Sequence, residues 1–225
     1  AQLVLSKGQS NFCQKAEHTM ENAIYIGLSQ QMALKRRMDI TANNIANVNT
    51  TAFKGVHPLF EEFLVKEPAV VNDKMSYVQD FGVYHDRTEG AIHRTDRPLD
   101  MAISGDGYFT VETDAGTRYT RNGNFKLDAD GNIVTQTGDM LLDETGSPLQ
   151  ISQANPDIEI APDGTVTLGE GQIHKIELVY FENDQQLKHL GNGYYDAGDA
   201  AALPAEDAVI NQGSLEKSNV QPILE

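Results

Sequence analysis

Cysteine occurs once in this 225-residue chain, at Cys13, which excludes an internal disulfide framework and a cysteine-based metal centre. Basic side chains are scarce, 17 against 33 acidic ones, and the formal net charge of -16 repels phosphate backbones and anionic lipid heads. Nucleic acid is therefore not an expected partner. No run approaches the roughly 18 to 20 consecutive apolar residues of a membrane span, and no basic segment followed by an apolar run opens the chain. We expect no membrane insertion and no cleaved secretory signal, so that any export uses another route.

What is present suits a folded protein: 40% hydrophobic, 7% aromatic and 22% charged residues, with 19 glycines. The length fits one large domain, or one domain with an appended element.

Residues 1–19 show no clean period, and they read as a disordered, non-native or upstream extension with Met20 as the natural start. A helical stem is expected over 20–50. From Asn22 to Val48 there is no proline, Gly27 is the lone glycine, and strong helix formers cluster from Leu28 to Arg37. A 3-4 spacing links Met20, Ile24, Gly27, Gln31, Leu34, Met38, Thr41, Ile45 and Val48, an apolar seam with interruptions. An isolated helix has nothing to bury such a seam against.

The stretch "DITANNIANVNTTAF" at 39–53 threads Asn43, Asn44, Asn47 and Asn49 between apolar residues. Ile45 and Val48 continue the seam, while Asn43, Asn44 and Asn47 lie at other angles, able to bond adjacent subunits or the joint at less desolvation cost than ions. The plainer reading is an ordinary core helix with Asn49 near its C-cap.

Residues 51–76 mix Gly55, Pro58 and Pro68 with short apolar runs and read as a joint and irregular connection. From 77 to 212 short β-like segments alternate with glycine turns, as in "YFTVET", "TRYTRNGNFKLDADGN" and "DIEIAPDGTVTL". Asp-Gly and Asn-Gly pairs at that spacing predict antiparallel hairpins. The fold class is therefore mainly β, with a long N-terminal helical stem. The tail 213–225 reads as a lead-in to a helix that the chain does not reach.

Motifs for chemistry are weak. "GDGYFTV" at 105–111 places Thr110 where a dinucleotide loop needs its third glycine, and β-like sequence follows. "DADGN" at 128–132 brings its glycine fourth rather than sixth from the first aspartate, which fits a turn and not an EF-hand. His18, His57, His85, His93, His174 and His189 form no metal-binding spacing, no G-x-S-x-G occurs, and nothing marks out two carboxylates as a catalytic pair. No catalytic, cofactor-binding or metal residue is assigned, and no cofactor is expected.

Three stretches carry a resemblance. "MENAIYIGLSQQMALKRRMDITANNIANVNTTAFKG" resembles the N-terminal signature of the bacterial flagellar basal-body rod and hook axial proteins, most like the proximal-rod members. "GAIHRTDRPLDMAISGDGYFTVETDAGTRYTRNGNFKLDADGNIVTQTGDMLL" at 90–142 is similar to that family's β domain, and "GSLEKSNVQP" at 213–222 to its lead into a C-terminal helix. The resemblance implies a non-enzymatic subunit that self-assembles into an axial shaft and transmits torque through the periplasm. It implies as partners copies of itself, neighbouring rod proteins and the flagellar type III export apparatus. It also implies helix packing and assembly through Ile24, Leu28, Leu34, Met38, Asn43, Asn44, Ile45, Asn47, Val48, Asn49 and Phe53. The family continues in an amphipathic C-terminal helix, absent from this chain, so the stem is expected to be loose or docked on a neighbour. A distal-rod or hook subunit is the alternative within the family; a periplasmic carbohydrate-binding or glycan-cleaving β protein is the alternative outside it.

Overall fold

The proline-free N-terminal stretch forms a single α-helix, Gln2–Ala46. It belongs to a computed structural model that describes residues 2–66, 74–151, 158–168 and 172–222, with side chains described over 24–61, 82–151, 158–167 and 173–222. The helix starts upstream of the expected stem. Residues 1–19 were expected to stand apart as a disordered extension, whereas the backbone is helical from Gln2. Once a helix is nucleated, each added residue gains a hydrogen bond for the ordering of that residue alone, and no proline interrupts this stretch. At the other end Asn47 N–H donates to the Asn44 carbonyl at 3.1 Å and Val48 N–H to the Ile45 carbonyl at 3.3 Å, a tightened last turn that stops the helix.

The chain forms two compact units, Ala1–Asn43 with Val56–Tyr84, and Asn44–Gly55 with His85–Glu225. In the first, the strands Val56–Lys66 and Lys74–His85 pair as a two-stranded sheet. This corrects the expectation of an irregular connection over 51–76. Valine, phenylalanine and tyrosine favour the pleat, and Pro58 is tolerated because a two-stranded ribbon consists entirely of edges. Among the described residues from 47 to 66, the joint proper, 47–55, is the part that lacks regular structure.

The second unit is the β body. Its hub is the strand Tyr108–Thr113, paired with Gly116–Thr120 along one edge and with Met140–Leu141 and Leu178–Tyr180 along the other, all antiparallel. Alternation along this strand feeds two cores. Phe109 and Val111 enter the larger one, where the Phe109 and Phe125 rings meet edge to face at 5.3 Å. Tyr108 points to the other side, against Val179, Phe181, Leu187 and Tyr195. The expected hairpin turns are present. Asp128 accepts the N–H groups of Asp130 at 2.9 Å and Asn132 at 2.7 Å, so its carboxylate serves its own turn between Phe125–Leu127 and Ile133–Thr135.

The C-terminal segment returns to the start of this body. Val209–Gln212 pairs with Met101–Ser104, and Ser214–Glu216 pairs with Ile92–Arg94. Gly213 turns between them at φ 68°, a left-handed conformation that glycine adopts without steric cost.

Candidate functional site

The return of the C-terminal strand carries Glu216 into the middle of the second unit, where it is 1% exposed. A carboxylate there is tolerated only when paired and fully hydrogen-bonded. Oε1 accepts from Lys54 Nζ at 2.6 Å and from the Gly90 N–H at 2.8 Å, and Oε2 accepts from Arg121 Nε at 3.0 Å. Both cations are buried as well, Lys54 at 4% exposure and Arg121 at 5%.

Arg121 is almost saturated. It donates through Nη1 to the carbonyls of Gly105 and Gly107, both at 3.1 Å, and through Nη2 to that of Ile103 at 3.2 Å. The "GDGYF" turn is thus a carbonyl cradle for a guanidinium. Glu89, more exposed, lies 3.6 Å from Arg121 Nη2 and also accepts the Gly105 N–H. Lys54 Nζ makes one further bond, to the Thr88 carbonyl at 2.8 Å.

Burial alone would raise the Glu216 carboxyl, but the charges of Arg121 and Lys54 outweigh it and hold the group below the usual carboxylate range. For Lys54, burial is the leading effect and pushes the ammonium below the ordinary lysine value; Glu216 opposes this shift and Arg121 adds to it. One carboxylate therefore serves two cations. Glu216 accepts from three of the protein's own donors through both of its oxygens, and this fixes the geometry around it.

Main-chain bonds complete the clasp. Ala52 N–H donates to the Glu216 carbonyl at 2.8 Å, Gly55 N–H to Asn219 Oδ1 at 2.7 Å, and Asn219 N–H to the Phe53 carbonyl at 3.3 Å. Asn219 Nδ2 donates to the Asp86 carbonyl at 2.9 Å. Ala52 itself is held at φ 55°, a left-handed conformation costing a non-glycine residue about 1 to 2 kcal/mol.

The residues selected from sequence fall into different surroundings. Ile24 and Met38 are 68% and 63% exposed, and Leu28, Leu34 and Ile45 are exposed too. Asn43 and Asn49 are exposed, whereas Asn47, Val48 and Phe53 are half-buried. Asn47 Oδ1 accepts from Thr50 Oγ1 at 3.1 Å, a local bond at the helix end. Asn44 is fully buried, in the unit that also holds the joint residues 47–55, which favours the joint over an adjacent subunit as its surroundings. Of these residues, Phe53 contributes to the Glu216 clasp, through its carbonyl.

Comparison with known proteins covers nearly the whole chain. The family model for the "Flagella basal body rod protein" matches residues 24–54, and that for the "Flagellar hook protein FlgE/F/G D1 domain" matches 102–168. The flagellar basal-body rod protein FlgF of Caulobacter vibrioides is 40% identical over 210 residues, which span 92% of this chain and 85% of that protein. The chain belongs to the flagellar basal-body rod protein family. FlgF of Rhizobium meliloti is 33% identical over 215 residues, spanning 92% of this chain and 85% of that protein; the rod protein FlgG of Bacillus subtilis is 32% identical over 226 residues, spanning 89% and 86%. The matched rod segment ends on Lys54 and the matched D1 segment contains Arg121, while Glu216 lies beyond both. In this rod-family chain Glu216 is thus the point at which two separately matched segments are tied together.

Sequence reading missed Lys54, Arg121, Glu216, Gly90 and Asn219. A signal was available: "AFKG", "YTRNG" and "SLEKSN" each place a charged residue within one of the stretches that carry the resemblance. One sequence gives no means of pairing them.

Proposed function

We propose that the chain is a structural subunit of the proximal segment of the flagellar rod, self-assembling with copies of itself and neighbouring rod proteins into the shaft that carries torque through the periplasm. The single observation that carries this reading is the 40% identity to a FlgF rod protein across 92% of the chain. Identities of 32% to 40% with FlgF proteins, against 25% to 32% with FlgG proteins, favour a FlgF-like position. The Glu216 clasp supports a load-bearing role, because a buried carboxylate that accepts three bonds from the protein's own donors fixes geometry. Export through the flagellar type III apparatus belongs to the same reading. Among the described residues no helix is long and apolar enough to cross a membrane.

Deletion of the gene, followed by electron microscopy of isolated basal bodies, tests this. We expect rods lacking their proximal segment, restored by the wild-type gene; an intact rod that lacks only its hook would refute the placement.

A further inference from the structure

We propose that residues 214–219 act as a latch on the joint: the order of residues 52–55 depends on Glu216 and Asn219 being docked. Three main-chain groups of the joint, the Ala52 and Gly55 N–H groups and the Phe53 carbonyl, find their partners in Glu216 and Asn219. The Lys54 ammonium meets Glu216 as well. Those partners lie 162 residues or more along the chain, so no nearby sequence takes their place.

The same short segment grips a second flank. Gly90 N–H donates to Glu216 Oε1 at 2.8 Å, Lys217 N–H to the Ala91 carbonyl at 3.0 Å, and Asn219 Nδ2 to the Asp86 carbonyl at 2.9 Å. The seat is tight, since a Cβ on Gly90 would fall 1.8 Å from the Lys217 carbonyl oxygen. The segment therefore bonds both residues 52–55 and 86–91, and its release takes these bonds from the two flanks together, leaving between them the Asp86 N–H to Gly55 carbonyl bond at 2.8 Å and the Lys54 Nζ to Thr88 carbonyl bond.

The two cations respond differently to that release. Arg121 keeps the carbonyls of Ile103, Gly105 and Gly107 and the nearby Glu89 carboxylate, whereas Lys54 keeps one hydrogen bond, to the Thr88 carbonyl, and a weaker attraction from Glu89. A buried cation without its counterion is strongly disfavoured, so the joint opens while the β core keeps its packing.

The latch rests on the rod-subunit reading only for its consequence, that the joint must be rigid in a shaft; its order is measured on unassembled protein. Amide hydrogen exchange is followed on the full-length chain as wild type, Glu216→Gln and Asn219→Ala. In Glu216→Gln the amides of residues 52–55 and 90 are expected to exchange on the order of 100-fold faster. In Asn219→Ala, which leaves every charge in place, Gly55 is expected to exchange about 10-fold faster. Amides of 109–111 and 133–134 should keep their wild-type rates. Asn219→Ala decides the matter if Glu216→Gln does not fold. Unchanged rates in the joint, or an equal rise in the core, overturn the latch. Failure of the wild-type chain to enter rods would count against the rod reading and leave these rates unaffected.

Discussion

Lys54 and Glu216, 162 residues apart in sequence, meet at 2.6 Å with both side chains buried. Breaking this pair from its two ends has unequal consequences. Glu216→Ala leaves two buried cations without their shared carboxylate and should cost about 3 to 5 kcal/mol. Lys54→Met keeps the apolar stem and leaves Glu216 with Arg121 and the Gly90 N–H, so about 1 kcal/mol is expected. Urea unfolding of the full chain measures both. Equal losses would show that the charges are incidental to the packing.

The carboxylate also gives the joint an acid limit. Because Glu216 is held below its ordinary value in the folded chain, its contribution is complete above the unfolded pKa of about 4.3 and is lost as pH falls through its own lower value. Thermal unfolding from pH 6 to 3 should show a loss that is smaller in Glu216→Gln.

A second acid response is expected nearer neutrality. His85 and His189 stack with ring centroids 6.2 Å apart, and the Arg87 guanidinium lies 4.8 Å over the Tyr195 ring. Burial first, then Arg87, hold both imidazoles below 6.5. Depressed imidazoles are neutral in the folded state while the unfolded chain takes up protons, so this stability is present above about pH 6.5 and is lost below it. The melting temperature should fall between pH 7 and 5.5. His189→Phe keeps a ring against Tyr195, met at 5.3 Å in the wild type, and should flatten the response.

Two glycine substitutions should have opposite signs. A Cβ on Gly123 would lie 1.7 Å from the Met101 carbonyl oxygen, so Gly123→Ala must displace main chain and should cost several kcal/mol, on the order of 3. Gly27 has nothing within 4 Å and sits in the helix, so Gly27→Ala should stabilise by about 0.8 to 1 kcal/mol. Calorimetry of both variants checks the signs.

Helix-face substitutions should separate folding from assembly. Met38 is 63% exposed, so Met38→Asp should change monomer stability by no more than about 0.5 kcal/mol while abolishing rod formation. Asn47→Ala, at a half-buried position, should likewise weaken assembly more than folding. Equal effects on both would assign these residues to the monomer alone.

Much of the fold was legible because it is local. Helix formers without proline give the stem, and Asp-Gly and Asn-Gly turns at regular spacing give the hairpins, as at Asp128 to Asn132. The strand Val56–Lys66 was not read, because Pro58 and the neighbouring glycine mask its β preference until its partner strand is known. The burial of Asn44 was not legible, because angular position on a helix does not say what packs against it. The Glu216 clasp was illegible for a further reason. Its members are single charged residues at 54, 121 and 216, and only the return of the C-terminal strand brings them together.

A density map of basal bodies from cells with this chain as their only copy provides the decisive measurement. The chain should be found in the proximal rod, with Glu216 closed on Lys54 and Arg121 in every copy. A complete rod from which the chain is absent would contradict its role as a structural subunit.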